Sequence, residues 1–280
     1  MELLESVFKL KEHKTSFKKE ILAGLATFLT MAYIMVVNPA ILSETGMDFD
    51  SVFVATILAS FVACMIMGIL ANWPVALAPG MGLNAFFTYA VVFGMGFSWQ
   101  QALAAVLCSG VLFLIISISP LRAYLINAIP RSLKFGIGAG IGLFLAIIGL
   151  KNAGIVVDNP ATLVGLGDLK SASVLLALLT FTLMIALDKL KVPGAIVLSI
   201  LATTVIGMIF GVAQYQGIVS SIPSMSPTFM QLDFSSLGSS LFLIVIFTIL
   251  FVDFFDTAGT LTSVANLSGK IDKEGKVENI

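Results

Sequence analysis

Charge is what this sequence of 280 residues has least of: 11% of it is Asp, Glu, Lys or Arg, against about 25% in an ordinary soluble domain. With 58% hydrophobic residues and a mean hydropathy of +1.05, a water-soluble domain is excluded and the chain reads as an integral membrane protein. Histidine is nearly absent. His13 is the sole one and lies in a polar N-terminal stretch, so a histidine-based metal site within the membrane is excluded and no metal is expected. The two cysteines, Cys64 and Cys108, give no disulfide framework. Both fall within apolar runs and are expected to be small buried apolar residues. A cleavable leader is not expected, because the first apolar run follows a hydrophilic segment, is too long, and ends in Asn38-Pro39. The net charge of −1 says little, since in a membrane protein the placement of charges matters more than their sum.

What is there is a series of apolar runs, each near the ~20 residues that cross the hydrocarbon as a helix. They fall at 20–38, 52–70, 75–93, 100–117, 133–150, 173–187, 194–211 and 239–265, giving about eight spans. Strands of a β-barrel would be shorter and would alternate in polarity, so a barrel is rejected and the expected class is an all-α polytopic membrane protein. Residues 1–19 hold Lys9, Lys11, Lys14, Lys18 and Lys19, with Leu3–Leu10 as a short amphipathic stretch suited to the membrane surface or to a solvated tail. Span 5 is rich in glycine at 136, 138, 140 and 142, a pattern of close helix packing. A nucleotide-binding glycine motif would need a preceding strand and a soluble crossover, and neither is present.

Orientation follows from the cations. With residues 1–19 cytoplasmic, the inner segments and their flanks hold those five lysines, Arg122, Arg131, Lys134, Lys189, Lys191, Lys270, Lys273 and Lys276. The outer segments hold only Lys151 and Lys170, which fits the positive-inside rule and places 266–280 in the cytoplasm.

Three constellations can carry chemistry. Asp253 and Asp256 sit three residues apart inside span 8, on one helix face, with Thr257 and Thr260 near the same stripe. A charge at that depth costs at least ~3 kcal/mol and is rarely kept without a role or a partner. Desolvation penalises the charged form, which makes such an acid a plausible proton carrier. When ionised, it accepts two N–H donors together, as a flat heterocycle with adjacent N–H groups would offer. The second constellation is Pro79-Gly80-Met81-Gly82-Leu83-Asn84, which breaks span 3. Broken spans at membrane depth line cavities and mark binding sites in secondary transporters. A half-helix starting there would offer free N–H groups, and the Asn84 amide would offer both donor and acceptor. Third are Thr27, Thr30 and Tyr33 in span 1, although threonines in membrane helices usually bond their own backbone carbonyls. An intramembrane aspartyl protease is rejected, because it needs aspartates facing each other from different helices.

Taken together, the run from Ala23 to Pro39, the segment Ala78–Phe87 and the segment Val252–Leu261 resemble the nucleobase:cation symporter-2 superfamily, in its adenine, guanine and hypoxanthine permease branch. The resemblance covers essentially the whole chain. It implies a fold of fourteen spans, built as two inverted repeats of seven, of which this chain would hold the first repeat and the first helix of the second. It implies no enzyme activity, but proton-coupled uptake of purine nucleobases by a multi-pass protein of the plasma membrane. No cofactor is implied beyond the coupling ion H+. The implied partners are the purine and the lipid bilayer, with a homodimer open as an assembly and nucleic acid not expected. By motif, Asp253 corresponds to the acid that bonds the base, Asp256 to a nearby acid tied to coupling, and Asn84 and Gly82 to the contribution of span 3. Thr27 and Thr30 lie near that site. The part of the site that span 10 would supply, including a glutamate, is not in this sequence, so the chain is expected to be partial and inactive alone. Xanthine, uracil or a small anion is the alternative substrate reading, and the choice of H+ over Na+ is not fixed by these residues.

Overall fold

The computed structural model describes residues 8–13, 15–119, 131–215, 217 and 221–267. Hydrocarbon offers backbone groups no partner except one another, so apolar runs of this length close into helices. Helix α1 covers Phe17–Met31, α2 Ile34–Ser43, and α3 Phe49–Ile66, which runs on through a widened, π-type turn at Met67–Ala71. Helix α4 starts at Met81–Ala85 and continues through π-type turns over Phe86–Gly94. Then follow α5 (Trp99–Ile118), α6 (Arg131–Asn152), α7 (Ala172–Lys189), α8 (Ala195–Ile209) and α9 (Ser240–Leu267). Between α6 and α7 the strands β1 (Val156–Asn159) and β2 (Leu163–Leu166) pair antiparallel, with Val156 opposite Leu166 and Asn159 opposite Leu163.

The architecture is all-α and polytopic. Phe17–Ser43, Phe49–Ala71, Trp99–Ile118, Ala172–Lys189 and Ser240–Thr257 are each long and apolar enough to cross a membrane. Met81–Gly94, Gly142–Asn152 and Ala195–Ile209 are shorter apolar helices. Three details differ from a plain reading of the apolar runs. The first run is two helices, parted at Ala32–Tyr33. Within α2, Pro39 has no N–H to give, so the Met35 carbonyl has no donor one turn on. The third run is helical only from Met81. The hairpin was not expected at all; Asn159 Oδ1 builds its turn by accepting from the N–H groups of Ala161 (2.9 Å) and Thr162 (3.3 Å). Of the cations that orient the chain, Lys14, Arg122, Lys270, Lys273 and Lys276 lie outside the described residues.

The chain divides into two compact units. One draws on Met1–Val36, Ala59–Ala78 and Ala146–Ile222. In it α8 packs on α7 and on α1. Thr180 donates to Thr203 Oγ1 at 2.9 Å across the first of these contacts. Gly194 starts α8 in the left-handed region, at φ +75°, where a Cβ would also come within 3.1 Å of the Leu29 side chain.

The other unit draws on Val37–Leu58, Pro79–Leu145 and Pro223–Ile280. Its core joins Met47, Val52, Phe87, Val91, Ala102, Ala104, Ala105, Phe242, Val245, Ile246 and Ile249. Helix α9 lies along α5, where fully buried Ala104 and Ala105 let the backbones approach. Phe97 meets Phe242 edge-on at 6.0 Å, and Phe113 meets Phe254 at 6.1 Å. Two N-termini here are closed by their own residues. Ser98 and Gln101 form a reciprocal capping box on α5. The Asp48 carboxylate accepts from Ser51 N–H at 2.8 Å and Ser51 Oγ–H at 2.5 Å before α3. These hydrogen bonds hold Asp48 below its ordinary carboxylate pKa. Filling the small-residue seam tests the packing: Ala105→Leu should destabilise the protein by about 1–3 kcal/mol, read as a lower unfolding midpoint in detergent. An unchanged midpoint would mean that α5 and α9 are not closely packed.

Candidate functional site

The site is built around an interruption. Asn72 ends the turn after α3 in the left-handed conformation, with φ 50° and ψ 42°, which asparagine tolerates better than most residues. Pro74 and Pro79 follow. Each fixes its own φ and drives the residue before it, Trp73 or Ala78, toward extended backbone. Residues 72–80 therefore run without helix, and their polar groups need partners. Trp73 N–H reaches back to the Met67 carbonyl at 3.3 Å. Leu77 is held at both ends by one thiol: its N–H donates to Cys64 Sγ at 3.1 Å, and Cys64 Sγ–H donates to its carbonyl at 3.3 Å. Cys64 and Cys108 are half-buried, so Cys64 is a backbone clamp rather than the inert apolar filler that its setting suggests.

Gly80 opens α4 with extended φ and ψ and no side chain capping it. The first N–H groups of a helix have no acceptor within it, and an anion is stabilised there. The Asp256 carboxylate lies close to this helix start without accepting a hydrogen bond from it among the described residues. A Cβ added to Gly80 would lie 3.2 Å from Asp256 Oδ2, so a larger residue there would crowd the carboxylate by a few tenths of an ångström. Asp253 and Asp256 continue the buried stripe of α9 that runs through Phe242, Ile246 and Ile249, at helical spacing. Both acids are half-buried. Among the described residues neither accepts a hydrogen bond nor joins an ion pair. Phe254, buried between them, meets Phe113 of α5 edge-on, which ties the rotation of α9 to that helix.

Asn84, one turn into α4, donates from Nδ2 to Asn38 Oδ1 at 2.5 Å. Asn38 Nδ2 donates to Thr56 Oγ1 at 2.6 Å, and Thr56 Oγ–H donates to the Val52 carbonyl at 2.6 Å. The amide thus has its donor side committed, where the sequence had offered both donor and acceptor. Gly82 is half-buried in the first turn of α4. Asp253, Asp256, Gly82 and Asn84 belong to one unit; Thr27 and Thr30 belong to the other. Their hydroxyls are spent on carbonyls of their own helix, Ala23 at 3.0 Å and Thr27 at 2.7 Å. Sequence reasoning missed Gly80, Asn38 and Thr56 as site-forming residues. A buried asparagine before Pro39 is a visible signal, but a lone threonine in an apolar run is not.

Chemically, the arrangement offers two half-buried acid acceptors on α9, one of them beside the uncapped start of α4. The profile of the Permease family matches residues 18–278. A protein of Methanocaldococcus jannaschii named as a permease is 49% identical over 100% of this chain and 64% of its own length. The adenine permease AdeP of Escherichia coli is 44% identical over 98% of this chain and 62% of its own length. The guanine/hypoxanthine permease PbuG of Bacillus subtilis is 46% identical over 98% and 65%. The chain thus spans just under two thirds of the length of these relatives.

The contact at Gly80 is testable by a double-mutant cycle. Gly80→Ala should lower stability by about 1 kcal/mol, and the loss should shrink to near zero in an Asp256→Ala background. An equal loss in both backgrounds, followed by thermal unfolding in detergent, would show that the added methyl group meets no carboxylate.

Proposed function

The chain belongs to the Permease family, and on that premise we propose that the whole protein is a secondary transporter taking up purine nucleobases with protons. Hypoxanthine, guanine and adenine are the substrates this reading favours, drawn from the names of its relatives. The observation that carries it is the approach of Asp256, with Asp253 one turn before it, to the uncapped start of α4. A purine presents N–H donors and ring-nitrogen or carbonyl acceptors along adjacent edges. An ionised carboxylate at 253 accepts the donors, and α4 N–H groups near Gly82 meet the acceptors. Asn84 reads a further edge.

Proton coupling follows from the cost of charge. A carboxylate within the bilayer is penalised by at least ~3 kcal/mol, and protonation removes that penalty. On this reading the protein reorients readily when Asp256 carries the proton and the Asp253 carboxylate is hydrogen-bonded by the base, which leaves one charge, satisfied by its ligand, in place of two. The N-terminus is cytoplasmic, as the Lys and Arg distribution favours.

The test is uptake of labelled hypoxanthine, guanine and adenine by the whole protein, in cells without purine uptake of their own. Asp253→Asn should reduce uptake by about 100-fold or more, at unchanged abundance in the membrane, because a neutral amide replaces one acceptor oxygen by an N–H2 donor and cannot carry the proton. Uptake at the unsubstituted level would remove Asp253 from the site. Unlabelled xanthine or uracil competing better than any of the three purines would overturn the substrate class.

A further inference from the structure

The polar chain that ends at Asn84 has a direction. Thr56 has one hydroxyl proton and gives it to the Val52 carbonyl, one turn back, at 2.6 Å. Its oxygen therefore faces Asn38 as an acceptor, and Asn38 must turn Nδ2 toward it, at 2.6 Å. Asn38 Oδ1 is thereby left to face Asn84, whose Nδ2 donates to it. The other Nδ2 hydrogen of Asn84 is directed to Met81 Sδ at 3.8 Å, a weak acceptor. Each member of this relay sets the orientation of the next.

Burial makes the direction hard to reverse. Asn38 is 4% exposed and Thr56 3%. Turning the Asn38 amide over would set its oxygen against the Thr56 oxygen and its N–H2 against the Asn84 N–H2. That would leave donors and acceptors unpaired in a dry site, where the penalty is largest. Asn84 is half-buried, so its carbonyl oxygen is the part of the relay left for a ligand.

We propose that Asn38 and Thr56 are positioning residues that lock Asn84 with its carbonyl oxygen toward the substrate, so that Asn84 selects bases carrying an N–H at the edge it reads. The inference rests on the purine reading above and deepens it. A site built to accept an N–H rejects an analogue in which that position is methylated or is itself an acceptor, because the oxygen, covered by the bound base, then goes unpaired.

The experiment measures uptake kinetics of the whole protein for hypoxanthine, and inhibition by hypoxanthines methylated singly at each ring nitrogen. Thr56→Val removes the acceptor that orients Asn38 while keeping the side-chain shape. It should raise KM about threefold to tenfold, the effect of one neutral hydrogen bond, with Vmax and membrane abundance close to those of the unsubstituted protein. The penalty for methylating one particular nitrogen should shrink by a similar factor, and Thr56→Ser, which restores a hydroxyl, should bring both values back. Should Thr56→Val fail to accumulate, Thr56→Cys, with its weak sulfur acceptor, should show the same two changes in smaller measure. Unaltered KM and unaltered analogue ranking in these variants, with uptake intact, would overturn this inference alone. So would an equal loss for every analogue that serine does not repair. Absence of purine uptake by the unsubstituted protein would overturn the function and the inference together.

Discussion

Hydrocarbon supplies no hydrogen-bond partners, so every departure from helix within the membrane must be answered by a specific group. The departure at residues 72–80 organises this chain. Two prolines and a left-handed Asn72 open the backbone, and Cys64 and the Met67 carbonyl answer part of what is exposed. The start of α4 is left open: it has no side-chain cap, and a carboxylate from a helix far along the chain lies close to it at Gly80. A site arises where the backbone's demand stays open beside a group that a ligand or a proton can engage.

Buried polar side chains in the same unit fall into two kinds. Thr88, wholly buried, donates to the Ile41 carbonyl at 3.2 Å. Asn38 and Thr56 are likewise closed within their own network. Such groups make the core specific and are costly to disturb. Asp253 and Asp256 are half-buried and stand outside any such network among the described residues. The closed groups hold the scaffold rigid, and the open ones remain available to chemistry. Asn84 joins the two kinds, with its nitrogen in the closed network and its oxygen outside it.

How much of this was legible in the sequence depends on the range of the interactions. Fold class was, because apolar runs and sparse charge leave only a helical membrane protein. The interruption at Pro79-Gly80 was visible too, since proline and glycine act locally. The hairpin at 156–166 was not: its strands are four residues each and depend on one Asn159 turn. Neither was the relay, because Asn38, Thr56 and Asn84 meet across separations of 18 and 46 residues that no local pattern encodes. The same limit hid Gly80. A glycine before a half-helix reads as a breaker, while its closeness to Asp256 needs the fold to bring α9 there.

The central claim is that the acids of α9 bind a purine and move a proton with it. Its most direct measurement is the pH outside lightly buffered proteoliposomes holding the whole protein, after hypoxanthine, guanine or adenine is added. Coupled entry of base and proton predicts an immediate alkalinisation of the medium that a protonophore abolishes and that Na+ does not alter. Accumulation of the base with no change in external pH, or with an absolute requirement for Na+, would contradict the account.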